Sequence, residues 1–252
     1  MKLIFPQNVF SKLIADNIPD ELSPEFSFFP SAQLSAELLK NPDSAALIPA
    51  MDLINHKDLF ISRKFGLSFE GALCNSYIYY NAKQQRELND VYLTGDVSSQ
   101  EVLLCKILFK ELYDSAVNIH LMTDNNFSNK NFILAGDQNF TGDIFVNGVS
   151  LAEEMIENLN LPYVNYVFAA VNEESLKKIQ PFFENIGEAV INSVENGQFG
   201  ETFSDTAKEY FKNNFSSVIT SFDEQDVEGL EQLLRLPYFH GLINDIIEVK
   251  YV

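Results

Sequence analysis

Asn131-Phe132-Ile133-Leu134-Ala135-Gly136-Asp137-Gln138 is a short apolar run that stops on Gly-Asp. An apolar run of this length between polar neighbours reads as a buried strand. Gly136 lets a backbone or a ligand come close at the strand's end. Asp137 then stands where open α/β sheets place their binding sites, beyond the carboxyl ends of the strands. Taken alone, the same residues describe a strand followed by a turn, with Asp137 bonding to nearby backbone.

The chain upstream alternates strand-like and helix-like pieces. Lys2 to Phe5 reads as a strand, and Val9 to Ala15 as a helix with Phe10, Leu13 and Ile14 on one face. Phe26 to Phe29 is a second strand, Ser31 to Lys40 a helix stopped by Asn41-Pro42, and Ala45 to Pro49 a third strand. This β-α-β-α-β order predicts parallel strands joined by crossover helices. Ile61 to Tyr80 is strand-rich, 81–89 polar and loop-like, and Val91 to Leu93 a strand. A helix follows over Val102 to Leu112, opened by Ser98 with Glu101 three residues on, the spacing of a capping box. That helix start reads either as plain capping or as an anion seat made of hydroxyls and free amides.

Val117 to Met122 is a strand, Ser150 to Leu159 an amphipathic helix, and Leu161 to Val171 an apolar strand that crosses back. The remainder reads as mostly helical, over Glu174 to Asn196, Ser204 to Phe222, Gln225 to Leu234 and Tyr238 to Ile247.

The composition, 46% hydrophobic over 252 residues, is enough for a large core. Cys74 and Cys105 lie in apolar surroundings without metal-ligand spacing and read as buried free thiols of a reducing compartment. The apolar run after Met1 is too short for a signal peptide, and no later segment is long enough to span a membrane, so a cytoplasmic protein without membrane insertion is expected. With 36 acidic and 17 basic side chains the net charge is −19, a field that repels nucleic acid and anionic membranes. An anionic ligand needs local donors that outweigh that field. His56, His120 and His240 read as structural, and the aromatic residues Tyr77, Tyr79 and Tyr80 as strand packing.

The order of pieces, together with Asp43-Ser44-Ala45-Ala46-Leu47-Ile48-Pro49, Gly71-Ala72-Leu73, Ser98-Ser99 before Val102-Leu103-Leu104, Leu134-Ala135-Gly136-Asp137 and Leu161-Pro162-Tyr163-Val164, resembles the chorismate dehydratase family of menaquinone biosynthesis by the futalosine route. The likeness covers most of the chain in short motifs. It implies an α/β, two-lobed fold of the type II periplasmic-binding-protein kind, with mixed sheets flanked by helices and an interlobe cleft. One lobe would hold residues 1–82 and 173–252 and the other 90–165, with hinge crossings at 83–89 and 166–172. It implies a lyase that removes water from chorismate to leave 3-[(1-carboxyvinyl)oxy]benzoate, with no metal and no organic cofactor. The oligomeric state is left open.

Carried over position by position, the resemblance makes Asn8 and Asp137 the catalytic candidates. Gln7, Asn75, Ser76, Ser98, Ser99 and Gly136 become the substrate-binding ones. The chemistry asks for donors to hold two carboxylates and a base near the ring proton. This chain departs from the family pattern in three places: Phe5-Pro6-Gln7-Asn8 has its proline displaced, Asn75 stands where the family has serine, and there is no tryptophan. The resemblance also takes in a sister enzyme of the same pathway, a dihydroxynaphthoate synthase of similar fold, which has a His-Glu pair where this chain has Gly136-Asp137, so that assignment is rejected. The departures support an alternative, a non-catalytic protein that binds a small carboxylate in the same fold. A structural or interaction protein without a ligand is the third reading. If the candidates form one site, Asp137 faces the same cavity as the helix start at Ser98.

Overall fold

The computed structural model describes residues 1–19, 24–81, 89–123, 126–183 and 185–252. Two mixed β-sheets organise the chain. The first is built from β1 (Lys2–Pro6), β2 (Glu25–Phe29), β3 (Ala45–Pro49), β4 (Phe60–Phe69), β10 (Tyr163–Ala170), β11 (Val218–Ser221) and β12 (Lys250–Tyr251). Its strand order is β11-β4-β10-β3-β1-β2, with β12 also paired to β4. The second has the order β7-β6-β8-β5-β9, from β5 (Ser76–Tyr79), β6 (Asp90–Gly95), β7 (Asn118–Leu121), β8 (Asn131–Ala135) and β9 (Val149–Ser150).

The parallel start expected from the sequence is present. β1 pairs in parallel with both β2 and β3, and α1 (Val9–Asp16) and α2 (Leu34–Lys40) lie on the connections between them. The opening stretch is β8, all five of its residues buried, parallel to β6 and antiparallel to β5.

The chain enters the second sheet between Phe69 and Ser76 and has returned to the first by Tyr163. The crossing expected at 83–89 lies outside the described residues except for Asn89, which directly precedes β6. The crossing expected at 166–172 belongs to the first lobe instead. Residues 166–170 continue β10, eight buried residues paired antiparallel with β3 and β4. A strand with both edges paired and both faces covered cannot serve as a free connection.

Helices α3 (Ser99–Tyr113), α4 (Gln138–Thr141) and α5 (Leu151–Leu159) follow strands of the second sheet. After β10 come α6 (Glu173–Phe183), α7 (Ile186–Glu195), α8 (Asp205–Asn214) and α9 (Glu224–Phe239). Two helical expectations are corrected here. The helix expected to reach Phe222 stops at Asn214, and Val218–Ser221 is an edge strand on β4, where β-branched Val218, Ile219 and Thr220 fit the pleat better than a helix. The helix expected over Tyr238 to Ile247 is only the end of α9, which runs through Pro237 to Phe239 and breaks at Gly241, whose φ is 67°. Cys74 and Cys105 are buried free thiols, as expected.

Aromatic packing ties the two lobes together. Phe140 of α4 meets Phe203 and Phe211 at ring distances of 5.2 and 4.9 Å, and Phe211 stacks in turn on Phe10 of α1. α8 therefore bridges the lobes.

Candidate functional site

The elements that place the site are strand ends in the second lobe and helix starts in the first. Strands β6 and β8 run side by side in parallel, and each ends in glycine followed by aspartate: Gly95-Asp96 and Gly136-Asp137. Both glycines have positive φ, 86° and 97°. A Cβ on Gly95 would lie 2.0 Å from the Ala135 carbonyl oxygen, so the turn there has room only for glycine. These turns throw the two carboxylates across the cleft.

Asp137 reaches α1. Its Oδ1 accepts a hydrogen bond of 2.9 Å from the Val9 amide, one of the unsatisfied donors at that helix start. Asn8 is the N-cap of the same helix, its side-chain oxygen accepting from the Ser11 amide at 2.9 Å. The Asn8 amide nitrogen, Nδ2, is buried and has no hydrogen-bond partner among the described residues. Asp96 reaches Ser31, the first residue of a 3-10 turn (Ser31–Gln33) that leads into α2, where Oδ1 accepts from the Ser31 amide at 2.7 Å and Oδ2 from its hydroxyl at 2.6 Å. That hydroxyl spends its proton on Asp96, so the Tyr166 hydroxyl, 2.8 Å away, donates to it, and the Asn75 amide donates to Tyr166 at 3.4 Å.

Burial dominates the electrostatics. The Asp137 carboxyl is pushed up to about 6 by desolvation, with the neighbouring Asp96 charge adding to the shift and the Val9 amide and Lys12 opposing it. Asp96 is likewise raised by burial, against the stabilising bonds from Ser31. Glu101 is raised by burial too, although Ser98 and Ser76 donate to it.

Two hollows open on either side of Asp137. One, of about 450 Å³, is lined by Asn8, Val9, Lys12, Phe28, Glu201 and Phe203 among others. The other, of about 460 Å³, is lined by Thr94, Asp96, Thr123, Gly136 and Gln138 among others. Gln7 and Asp137 line both. Four of the residues singled out in the sequence, Gln7, Asn8, Gly136 and Asp137, are thus brought together.

Of the other four, Ser76, Ser98 and Ser99 are committed elsewhere, and Asn75 borders the site, its carbonyl oxygen accepting from the Gly136 amide at 2.7 Å. Ser98 is the N-cap of α3 in a capping box, its hydroxyl donating to Glu101 at 2.7 Å and accepting from the Gln100 amide at 3.1 Å. The Ser99 hydroxyl donates to Asp52 of the first lobe at 2.6 Å. Ser76 donates to the buried Glu101 at 3.1 Å. Asn75 bonds to Tyr166, and its Oδ1 has no partner among the described residues. Of the two readings of the α3 start, capping is the one these bonds describe. None of these four residues lines either hollow beside Asp137.

Sequence reasoning missed Asp96 and Ser31. The signal for Asp96 was present, because Thr94-Gly95-Asp96 repeats the strand-Gly-Asp ending of the stretch at 134–137. His120 pairs with Asp90 at 2.8 Å and His240 with Glu111 at 3.0 Å.

No family model and no curated protein matches the chain. Solved structures do match its fold. Protein AF1704 from Archaeoglobus fulgidus is 13% identical with a TM-score of 0.65, over 96% of this chain and 98% of that one. The aliphatic sulphonate binding protein SsuA from Escherichia coli, a periplasmic protein, is 10% identical with a TM-score of 0.66, over 99% and 95%. The CA3427 gene product of Candida albicans, described as having the generic periplasmic binding protein fold, is 9% identical with a TM-score of 0.60, over 97% and 91%. The chain has that two-lobed α/β fold, as the resemblance implied. Among the described residues no helix is long and apolar enough to cross a membrane.

Proposed function

We propose that the chain binds a small carboxylate-bearing ligand between its lobes, at the helix starts marked by Val9 and Ser31. One observation carries the reading: each of these starts receives a carboxylate from the opposite lobe, Asp137 at Val9 and Asp96 at Ser31. The donors therefore have the spacing and direction that an acid group needs, and a helix start favours negative charge by up to ~1–2 kcal/mol. The neighbouring Asn8 amide, buried without a partner among the described residues, offers a further donor. In a chain of net charge −19, such local donors are what an anionic ligand requires.

A second reading is a lyase of the chorismate dehydratase kind, acting inside the cell in menaquinone biosynthesis. It is favoured by Asp137, whose carboxyl at about 6 lies near the optimum for a general base at neutral pH. In that reaction a base takes the ring proton, the ring hydroxyl leaves as water once protonated, and the ring becomes aromatic as 3-[(1-carboxyvinyl)oxy]benzoate forms.

One experiment separates the readings. The protein is incubated with chorismate, and thermal stability and aromatic product are followed together. Stabilisation without product supports the binding protein, because a ligand that binds only the native state raises its apparent stability. Product that disappears in Asp137→Asn supports the lyase. Neither effect, in a folded protein, removes chorismate as the ligand under both readings.

A further inference from the structure

The twin strand ends have a consequence that needs no ligand. β6 and β8 are neighbours in register, Gly95 opposite Ala135, so Asp96 and Asp137 leave the second lobe side by side. Each docks on a different helix start of the first lobe, through the bonds to Ser31 and Val9. We propose that Asp96 and Asp137 form a two-pronged latch that holds the cleft shut by filling the donors of the opposite lobe. Other contacts also cross between the lobes. Ser99 donates to Asp52, Gln100 accepts from Met51 while holding Tyr163 at the start of β10, and Phe140 packs on Phe203 and Phe211. In this proposal the two aspartates are the catch.

The catch is linked to protons. The charged or titratable groups facing it are Lys12 and Asp16 of α1, Glu201 ahead of α8 and Tyr166 of β10, besides the two carboxylates themselves. In the closed form burial raises both aspartates, whereas in an opened cleft water would return them toward their ordinary values. The closed form therefore binds protons more tightly than the open form. Closure weakens as pH rises from the ordinary carboxylate value to about 6 and is level above that. A ligand's acid group at Val9 or Ser31 would have to displace the catch; only this last step rests on the binding reading above.

The test uses the full chain in small-angle scattering and amide hydrogen exchange at pH 7.5. In Asp96→Ala/Asp137→Ala the radius of gyration is expected to grow, and the Val9 and Ser31 amides to exchange at least ~10-fold faster, as for a low-energy local opening. A folded double variant that keeps the wild-type radius and protection overturns the latch. If the alanines prevent folding, Asp96→Asn/Asp137→Asn keeps the acceptors but cannot titrate. The wild-type radius is then expected to grow as pH rises from about 4 to about 7 while that of the asparagine variant stays fixed. A wild-type radius that is constant over this range overturns the proposal. A third arm adds chorismate. Tighter binding by the opened variant supports the latch as a competitor of the ligand. Opening without chorismate binding in any variant upholds the latch and removes chorismate alone as the ligand.

Discussion

The Asp137 carboxylate accepts the Val9 amide at 2.9 Å across 128 positions of sequence, so a residue at the end of β8 caps a helix of the other lobe. The bond is neutral in geometry but costly in charge, because the carboxyl is raised to about 6 by its burial. A group whose folded pKa lies above its unfolded value adds stability as pH falls through the folded value and costs stability above it. Asp137→Asn keeps an acceptor for Val9 and removes the charge. The variant is expected to be more stable than wild type by about 2 kcal/mol at pH 8, and the advantage should vanish near pH 4. Urea titrations at both pH values measure this; a variant less stable at pH 8 would show that the charge itself holds the helix start.

Asn8 separates folding from binding. Its oxygen caps α1, while its Nδ2 has no partner among the described residues. Asn8→Ser retains a capping oxygen and deletes the idle amide, so stability should change by less than about 0.5 kcal/mol. Asn8→Ala loses the cap and should cost about 1 kcal/mol. If the amide is a ligand donor, both variants lose the stabilisation by chorismate. Full retention of that response in Asn8→Ser would remove Asn8 from the site.

How much of this was legible before the structure depends on the range of the forces involved. The buried strand at 131–135, the parallel β1-β2-β3 start and the capping box at Ser98 are local patterns, written in periodicity and capping chemistry. The edge strand Val218–Ser221 was hidden because four residues beside a helix carry little period of their own, and pairing with β4 decides them. Ser98 and Ser99 looked like ligand donors because a hydroxyl at a helix start has the same sequence signature whether its partner is an anion or the protein. Here the partners are Glu101 and Asp52, and only the fold brings Asp52 to Ser99. Asp96 was missed as a single aspartate, although it is the twin of Asp137.

Ser98 should accordingly behave as a structural residue. Ser98→Ala removes the acceptor of the Gln100 amide and one donor to the buried Glu101, and is expected to cost about 1–2 kcal/mol. Its response to chorismate, normalised to folded protein, should match wild type. A lost response with unchanged stability would restore Ser98 to the binding site.

Gly95 tests the turn that aims Asp96. With φ at 86° and a Cβ position 2.0 Å from the Ala135 carbonyl oxygen, any side chain both strains the backbone and collides with the neighbouring strand. Gly95→Ala is expected to destabilise the protein by more than about 2 kcal/mol. Gly136 has a similar φ of 97°, but its nearest atom, the Asp96 Cβ, lies at 3.4 Å, an ordinary contact. Gly136→Ala should therefore show only the cost of the left-handed backbone, about 1 kcal/mol. The ordering is the measurement: thermal melts should rank wild type above Gly136→Ala and that above Gly95→Ala. Equal losses would mean that backbone strain, and not the crowding between β6 and β8, sets the geometry of the two strand ends.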